Sequence, residues 1–378
     1  MQSFTSFTRV VMGKNVLSNI GADALHYGNK ALIVTDKGVR QNGLLEPILR
    51  ALSLAGLEVT VFDNVVSNPT ISNVEEAVNA QKTSGSQVII AVGGGSPMDT
   101  AKAAALLATN GGHISDYEGF DKFSIPILPL LTVPTTVGTG SEVTKGAVIS
   151  DPEKHAKMVI ASDLLYPKTA YLDPEMVAGL PAPVCAATGV DALTHAIEGY
   201  IAKGANPFSD ALNLYAIKII SEHLRPAVAG NRASLYQMLV ASSIAGVGFH
   251  NAGLGLVHAM ANTMGGHFNI HHGVANSILL PHVMEFNLIS QVNKFAEIAE
   301  ALGENVTGIT RREAAGKAIE AVKLLMADVR IPLKLREVGI TEDVIEQMAQ
   351  ESLSALDRPG NPRSNTQKDI EALYRNAF

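Results

Sequence analysis

A single cysteine and no tryptophan occur in 378 residues, and only 17% of the chain is charged. The lone Cys185 rules out an internal disulfide and any cysteine-built zinc site; it fits a reducing compartment, so a cytoplasmic protein is expected. No apolar run reaches the roughly 20 residues of a membrane-spanning helix. The most apolar tract, 125–133, is short and interrupted by prolines. The opening MQSFTSFTRVVMGKNVL interleaves polar and apolar residues, so no signal peptide is expected. Lys and Arg (29) are outnumbered by Asp and Glu (36), and a net charge of −7 argues against a nucleic-acid partner, which needs a basic face for phosphates. Repeats and low-complexity segments are absent. What remains is a folded chain, 47% hydrophobic, whose length suits two domains.

The first half reads as alternating strands and helices, the rhythm of a parallel sheet. The order is an edge strand or hairpin arm near 4–11, a strand at 30–36, a helix near 44–54, a strand at 58–62 and a helix near 72–82. Then Gln87-Val-Ile-Ile-Ala-Val92 runs into Gly93-Gly94-Gly95 and a helix through about Leu107. Ser96 is expected as its N-cap, with Pro97 at the first helical position and Asp99 completing a capping box. Three glycines at a strand-to-helix turn leave backbone N–H groups bare at the positive helix end, an anion site suited to pyrophosphate. The turn is neither a GxGxxG fingerprint, since Met98 stands at the third glycine position, nor a Walker loop. Asp36, at the end of an earlier strand, can accept from ribose hydroxyls and repel a 2′-phosphate, which predicts NAD over NADP. A hydroxyl-rich run, Thr132 to Thr144, is expected at the carboxyl edge of the sheet. Strands near 146–149, 157–160 and 170–172 complete this half, and Leu180-Pro-Ala-Pro183 reads as its boundary.

Beyond Pro183 helical periodicity takes over, with helices expected near 184–202, 207–224, 232–249, 254–265, 274–287, 291–302, 311–328 and 342–353. The region His250 to His282 holds six of the eleven histidines. Buried imidazole must find partners for two nitrogens, so such crowding points to chemistry. Upstream, Asp191 and His195 are four apart and share one helix face. A carboxylate plus imidazole, without thiolate, suits a divalent first-row cation and does not choose among Fe, Zn, Mn, Co or Ni. A helical ion pair is the plain alternative.

The motifs GGGSPMDTAKA, TVPTTVGTGSEVT, GVDALTHAIEGY, GLVHAMA and HHGVAN before LLPHV, with a final NPR and DIEALYRNAF, together resemble the iron-dependent (group III) alcohol dehydrogenases. The resemblance spans essentially the whole chain. It implies an α/β N-terminal dinucleotide-binding domain (1–181), an all-α C-terminal domain (182–378) in a dehydroquinate synthase-like architecture, and a divalent ion in the cleft between them. It implies Asp191, His195, His258 and His272 as metal ligands. Gly94, Gly95 and Ser96 would bind pyrophosphate, Asp36 and Asn68 the adenosine side, Thr135, Thr136, Val148 and Lys157 the cofactor further along, and Asp99 the nicotinamide ribose. A homo-oligomer built from dimers is also implied. One departure stands out: many relatives read HAMAH where this chain reads HAMAN, so Asn262 replaces a histidine that assists substrate binding or proton relay. His267 is expected to stand in, and Phe249, Asn251 and Leu254 to line the substrate pocket with these two.

The implied activity is reversible hydride transfer between a small alcohol or aldehyde and NAD(H), with Fe²⁺, Zn²⁺ or another first-row ion as Lewis acid. Two other classes stay open. A metal-assisted lyase or synthase on the same scaffold would use NAD only transiently, and a non-enzymatic NAD-binding sensor would turn over no alcohol.

Overall fold

Along Lys30–Val34, Ala31 and Ile33 point to one side and Leu32 and Val34 to the other, and all four are fully buried. A strand apolar on both faces belongs inside a parallel sheet covered by helices on both sides. The computed structural model describes residues 3–153, 156–268 and 270–378, and the chain divides into two compact units at Gly179–Leu180. The α/β unit takes Ser6–Thr136 and Gly140–Gly179; the helical unit takes the rest, including Val137–Thr139 and Thr5 near the start.

The strands of the α/β unit are β1 (Arg9–Met12), β2 (Lys30–Val34), β3 (Glu58–Phe62), β4 (Val88–Gly93), β5 (Gly119–Phe120), β6 (Leu130–Pro134), β7 (Gly146–Asp151), β8 (Ala156–Ala161) and β9 (Thr169–Leu172). Six form one sheet in the order β1-β9-β6-β4-β2-β3, every pair parallel. Its helices are α1 (Ile20–Leu25), α2 (Lys37–Gln41), α3 (Glu46–Leu54), α4 (Ile71–Ser84) and α5 (Gly95–Asn110). Leu32, Val34, Ile89 and Ala91 pack on α4 and α5, while Ala31, Ile33, Ile90 and Val92 pack on α1 and α3. From β2 the chain goes to β3 on one side, then crosses to β4 on the other, so a topological switch point lies between β2 and β4. Ligands of open α/β sheets bind outside the carboxyl ends of the strands at such a point. β7 pairs antiparallel with β8, which pairs with β5, in a separate small sheet.

The helical unit holds α6 (Ala182–Ile201), α7 (Pro207–Val228), α8 (Arg232–Ala252), α9 (Leu256–Phe268), α10 (His272–Leu288), α11 (Val292–Ala301), α12 (Arg311–Asp328), α13 (Ile345–Ser352) and α14 (Gln367–Asn376). α6 is buried from Cys185 to Ile201 and packs on α7, α8 and α10. In the sequence, Asn206 before Pro207, Ser290, and Thr310 with Glu313 read as helix starts; Asn206 caps α7 and Thr310 forms a reciprocal capping box with Glu313 on α12, whereas α11 begins at Val292 after Gln291 rather than at Ser290. Among the described residues no single helix is long and apolar enough to cross a membrane.

Three local expectations change. The strand expected over 4–11 shrinks to β1, because Phe4 packs on Phe208 and Thr5 bonds the Asn251 side chain. α5 starts at Gly95 with extended Gly94 as N-cap, so Ser96 is inside the helix and does not cap it. Asp99 makes no capping box: its carboxylate accepts from Ser141 Oγ (2.9 Å) and Val148 N–H (3.0 Å).

The NPR motif has a structural task. Asn361, buried, accepts from the Leu256 N–H at the start of α9 and from Asn287 Nδ2 at the end of α10, and donates to Asn287 Oδ1 and Arg363 O. Arg363 lies over the Phe286 ring at 3.9 Å. Asn361→Ala leaves the Leu256 N–H and the Asn287 amide without this partner, and it is expected to lower folding stability by about 2–4 kcal/mol in chemical denaturation, at about 1–3 for each stranded buried group.

Candidate functional site

Four turns of buried helix bring Asp191 and His195 to one face of α6, and α9 adds His258. Donor atoms of these three buried residues all lie within 4.8 Å of one another. His272, the first residue of α10, stands at the edge of the group: its Nε2 is 3.9 Å from Asp191 Oδ1, and its side chain is 28% exposed. The approach depends on the next residue, since a Cβ on Gly273 would meet the Ala187 carbonyl of α6 at 2.3 Å. The His195 ring is stacked on Phe249 (centroids 4.4 Å apart) and on His258 (4.6 Å).

The surroundings tune each donor. Burial works to raise the Asp191 carboxyl, but His195, His272, His258 and an N–H from Asn276 outweigh it and hold the group at about 2. Burial drives the His195 ring down to about 4 against the pull of Asp191, so the ring is a neutral donor at physiological pH. His258 is the opposite case: burial alone would lower it, but Glu198 raises it by hydrogen bond and charge. Glu198 Oε2 accepts from His258 Nδ1 at 2.6 Å, and Oε1 accepts the Val257 N–H at 2.7 Å. A proton fixed on Nδ1 leaves Nε2 as the donor atom toward Asp191, the carboxylate–histidine arrangement that orients metal-binding rings. One carboxylate and neighbouring imidazoles without thiolate fit a divalent first-row ion. Cys185 offers no competing ligand, since burial pushes its thiol up to about 12.

The other residues expected here are tied elsewhere. Asn262 Nδ2 donates to Asp357 Oδ2 at 3.3 Å, and burial raises Asp357 to about 6. His267 Nε2 lies 2.5 Å from Glu351 Oε2 and is not in the compact donor group. Asn251, expected to line the substrate pocket, accepts from Thr5 N–H and donates to the Thr5 and Val247 carbonyls through its side chain.

All ten residues expected at the cofactor belong to the α/β unit. Asp36 follows β2, Gly94, Gly95 and Ser96 follow β4, and Thr135 and Thr136 follow β6, on three adjacent parallel strands. Asp36 caps α2 through its Oδ1, which accepts the Val39 N–H at 2.9 Å. A Cβ on Gly94 would meet the Thr136 side chain at 3.1 Å, so glycine lets Thr136 pack against this backbone. The first N–H groups of α5 form a helix N-terminus of the kind that attracts anions. Asn68 takes a left-handed backbone (φ 54°) before α4; Val148 lies on β7 and Lys157 on β8. Beneath them Lys102 is fully buried and donates to Ser141 Oγ, Thr144 Oγ1 and the Gly146 carbonyl; burial lowers it to about 8 against the pull of Asp99 and Glu142.

Sequence reasoning missed Glu198 and Asn276. Glu198 stood inside GVDALTHAIEGY, four residues after neither ligand but seven after Asp191, two helical turns along the same face, and that spacing was the available signal.

Comparison with known proteins agrees with this geometry. The family model for iron-containing alcohol dehydrogenase matches residues 8–174, and that for the Fe-containing alcohol dehydrogenase family, C-terminal, matches 185–378. The chain is 43% identical over 371 residues to 1,3-propanediol dehydrogenase of Klebsiella pneumoniae, covering 97% of this chain and 96% of the relative. It is 44% identical over 351 residues to lactaldehyde reductase of Escherichia coli K12, covering 92% of each. A solved 1,3-propanediol oxidoreductase superposes with a TM-score of 0.98 at 42% identity, with both chains fully covered.

Replacing Glu198 by Gln keeps the size and removes the charge that fixes His258. Glu198→Gln is expected to weaken Zn²⁺ or Fe²⁺ binding by about 10–100-fold, measured by competition with a chromophoric chelator.

Proposed function

Because the chain belongs to the iron-containing alcohol dehydrogenase family, we propose that it interconverts a small alcohol and its carbonyl product with NAD(H), using a divalent ion held by Asp191, His195, His258 and His272. The observation that carries this reading is the convergence of buried donors from Asp191, His195 and His258. When bound, the ion would supply a Lewis acid for the alcohol or carbonyl oxygen and the dinucleotide would exchange hydride. Fe²⁺ is assigned on family grounds, and the same donors accommodate Zn²⁺.

The chain's own residues prepare that chemistry. Asp191 stays ionised at any physiological pH, and Glu198 keeps the His258 proton on Nδ1. On the other unit, the N–H groups of Gly94, Gly95 and Ser96 are assigned to pyrophosphate, with Asp36 and Asn68 on the adenosine side. Asp36 accepts from ribose hydroxyls and repels a 2′-phosphate, which favours NAD. Thr135, Thr136, Val148 and Lys157 are assigned further along the dinucleotide, and Asp99, oriented by Ser141 and Val148, to the nicotinamide ribose. A cytoplasmic homo-oligomer completes the proposal.

A screen of small alcohols and aldehydes with NAD(H) and NADP(H), after anaerobic Fe²⁺ or Zn²⁺ reconstitution, tests it. Net NADH formation of about one per alcohol consumed is expected, with NAD preferred over NADP. His258→Ala should lose bound metal and turnover together, each by more than about 100-fold; full turnover in the metal-free variant would overturn the assignment.

Asn262 hydrogen-bonds but does not titrate in this range, so His267 is assigned the substrate-binding or relay role that a second histidine has in many relatives. His267→Ala should lower kcat and flatten its pH profile. Unchanged kcat and profile would overturn that assignment.

A further inference from the structure

We propose that Asn276 sets the cation affinity of the Asp191–His195–His258–His272 group by binding the same lone pairs that a cation would take. This rests on the metal reading above and concerns a residue outside its ligand set. Asn276 lies one helical turn after His272 on α10 and is fully buried. Its Nδ2 is 2.6 Å from Asp191 Oδ1, 3.2 Å from His258 Nε2 and 3.1 Å from His272 Nε2. Atoms from three of the four assigned ligands therefore converge on one amide nitrogen.

The neighbours dictate which end of the amide faces them. An amide nitrogen carries two hydrogens and a carboxylate oxygen only accepts. The reverse orientation would set the amide oxygen against Asp191 Oδ1 at 2.6 Å, acceptor against acceptor. Among the described residues Asn276 Oδ1 is buried with no hydrogen-bond partner. That is a cost to the fold unless the oxygen has a use.

A donor N–H and a first-row cation compete for the same electrons. Asp191, His258 and His272 would hold a cation through the same atoms that Asn276 Nδ2 now meets. The N–H end must then leave. A half-turn about the last side-chain bond exchanges the two ends and offers Oδ1, an acceptable ligand atom for a divalent first-row ion. One end of the amide thus holds the donors together in metal-stripped protein, and the other faces the cation in loaded protein. Cation binding has to displace the first arrangement, and that displacement sets the affinity.

Asn276→Asp separates the two roles, because a carboxylate suits the cation and repels Asp191. Full-length protein is stripped with a chelator, and Zn²⁺ affinity is measured by competition alongside Tm with and without Zn²⁺. Relative to wild type, Asn276→Asp should bind Zn²⁺ at least about tenfold tighter, the order of one lost hydrogen bond to a charged group. Its stripped form should melt lower, so that the Zn²⁺-induced rise in Tm widens. Asn276→Ala, which also loses the competing N–H, should move both readouts in the same direction by less; it serves if the aspartate variant does not fold. Equal or weaker Zn²⁺ affinity, with stripped and loaded forms losing equal Tm, would reduce Asn276 to packing and overturn the proposal. Wild-type protein that takes up no cation would instead overturn the metal assignment and this proposal together.

Discussion

A carboxylate buried inside a helical bundle has to be compensated, and Asp191 is compensated by imidazole and amide nitrogen. Taking an ion out of water costs several kcal/mol even after relaxation, so an unpaired Asp191 would not stay charged in this position. His195 reaches it from the next turn of the same helix, while His258, His272 and Asn276 reach it from α9 and α10. Those contacts constrain the bundle. α10 has to begin against the α6 backbone, which Gly273 permits, and α9 has to begin where Glu198 and Asn361 take its first N–H groups. The same bonds that satisfy helix ends therefore aim the donors.

The α/β unit solves a different problem with the same economy of parts. Where β4 runs into α5 it uses glycine, which leaves backbone N–H groups bare at the helix start. Its buried charges, Asp99 and Lys102, meet through Ser141, which donates to the carboxylate and accepts from the ammonium. Lys102 also reaches Thr144 and the Gly146 carbonyl, so the hydroxyl-rich segment is tied to α5 by a cation with all three of its protons directed at acceptors. This buried network accounts for Ser141 and Thr144 without invoking any contact with a ligand.

What was legible in the sequence was whatever lives within a few residues. The Asp191–His195 spacing, the glycine turn after a buried strand, and the capping signals at Asn206 and Thr310 all express local geometry, and each appears in the structure. The start of α5 was misplaced by two residues because Ser96-Pro97 and Gly94-Gly95 both satisfy helix-start rules, and in the structure Gly94 lies against the Thr136 side chain. The short α1 and the terminal α14 were passed over. α1 is a single packed turn and a half, and α14 rests on the Thr366–Asp369 box and a narrow apolar face. Glu198 and Asn276 were missed for a stronger reason: their partners are 60 and 85 positions away, and the helical spacing that puts Glu198 on the face of Asp191 does not by itself distinguish a carboxylate that fixes a ring from one that solvates a helix.

The neighbourhood of Asn262 shows where stability yields to something else. Its amide meets Asp357, whose carboxyl burial raises to about 6 from an ordinary 3.8, with His258 pulling it down and Glu198 pushing it up. A raised carboxyl pKa binds its proton more tightly in the folded state. Folding is therefore favoured most below the ordinary carboxyl value, and part of that stability is lost as pH climbs from about 4 through about 6. At neutral pH Asp357 works against the fold, and a serine or asparagine there would be cheaper to bury. Groups that break a local stability rule without local compensation concentrate at functional sites, and this one accepts a hydrogen bond from Asn262, four residues after His258 on α9 in the next turn beyond a donor of the buried group.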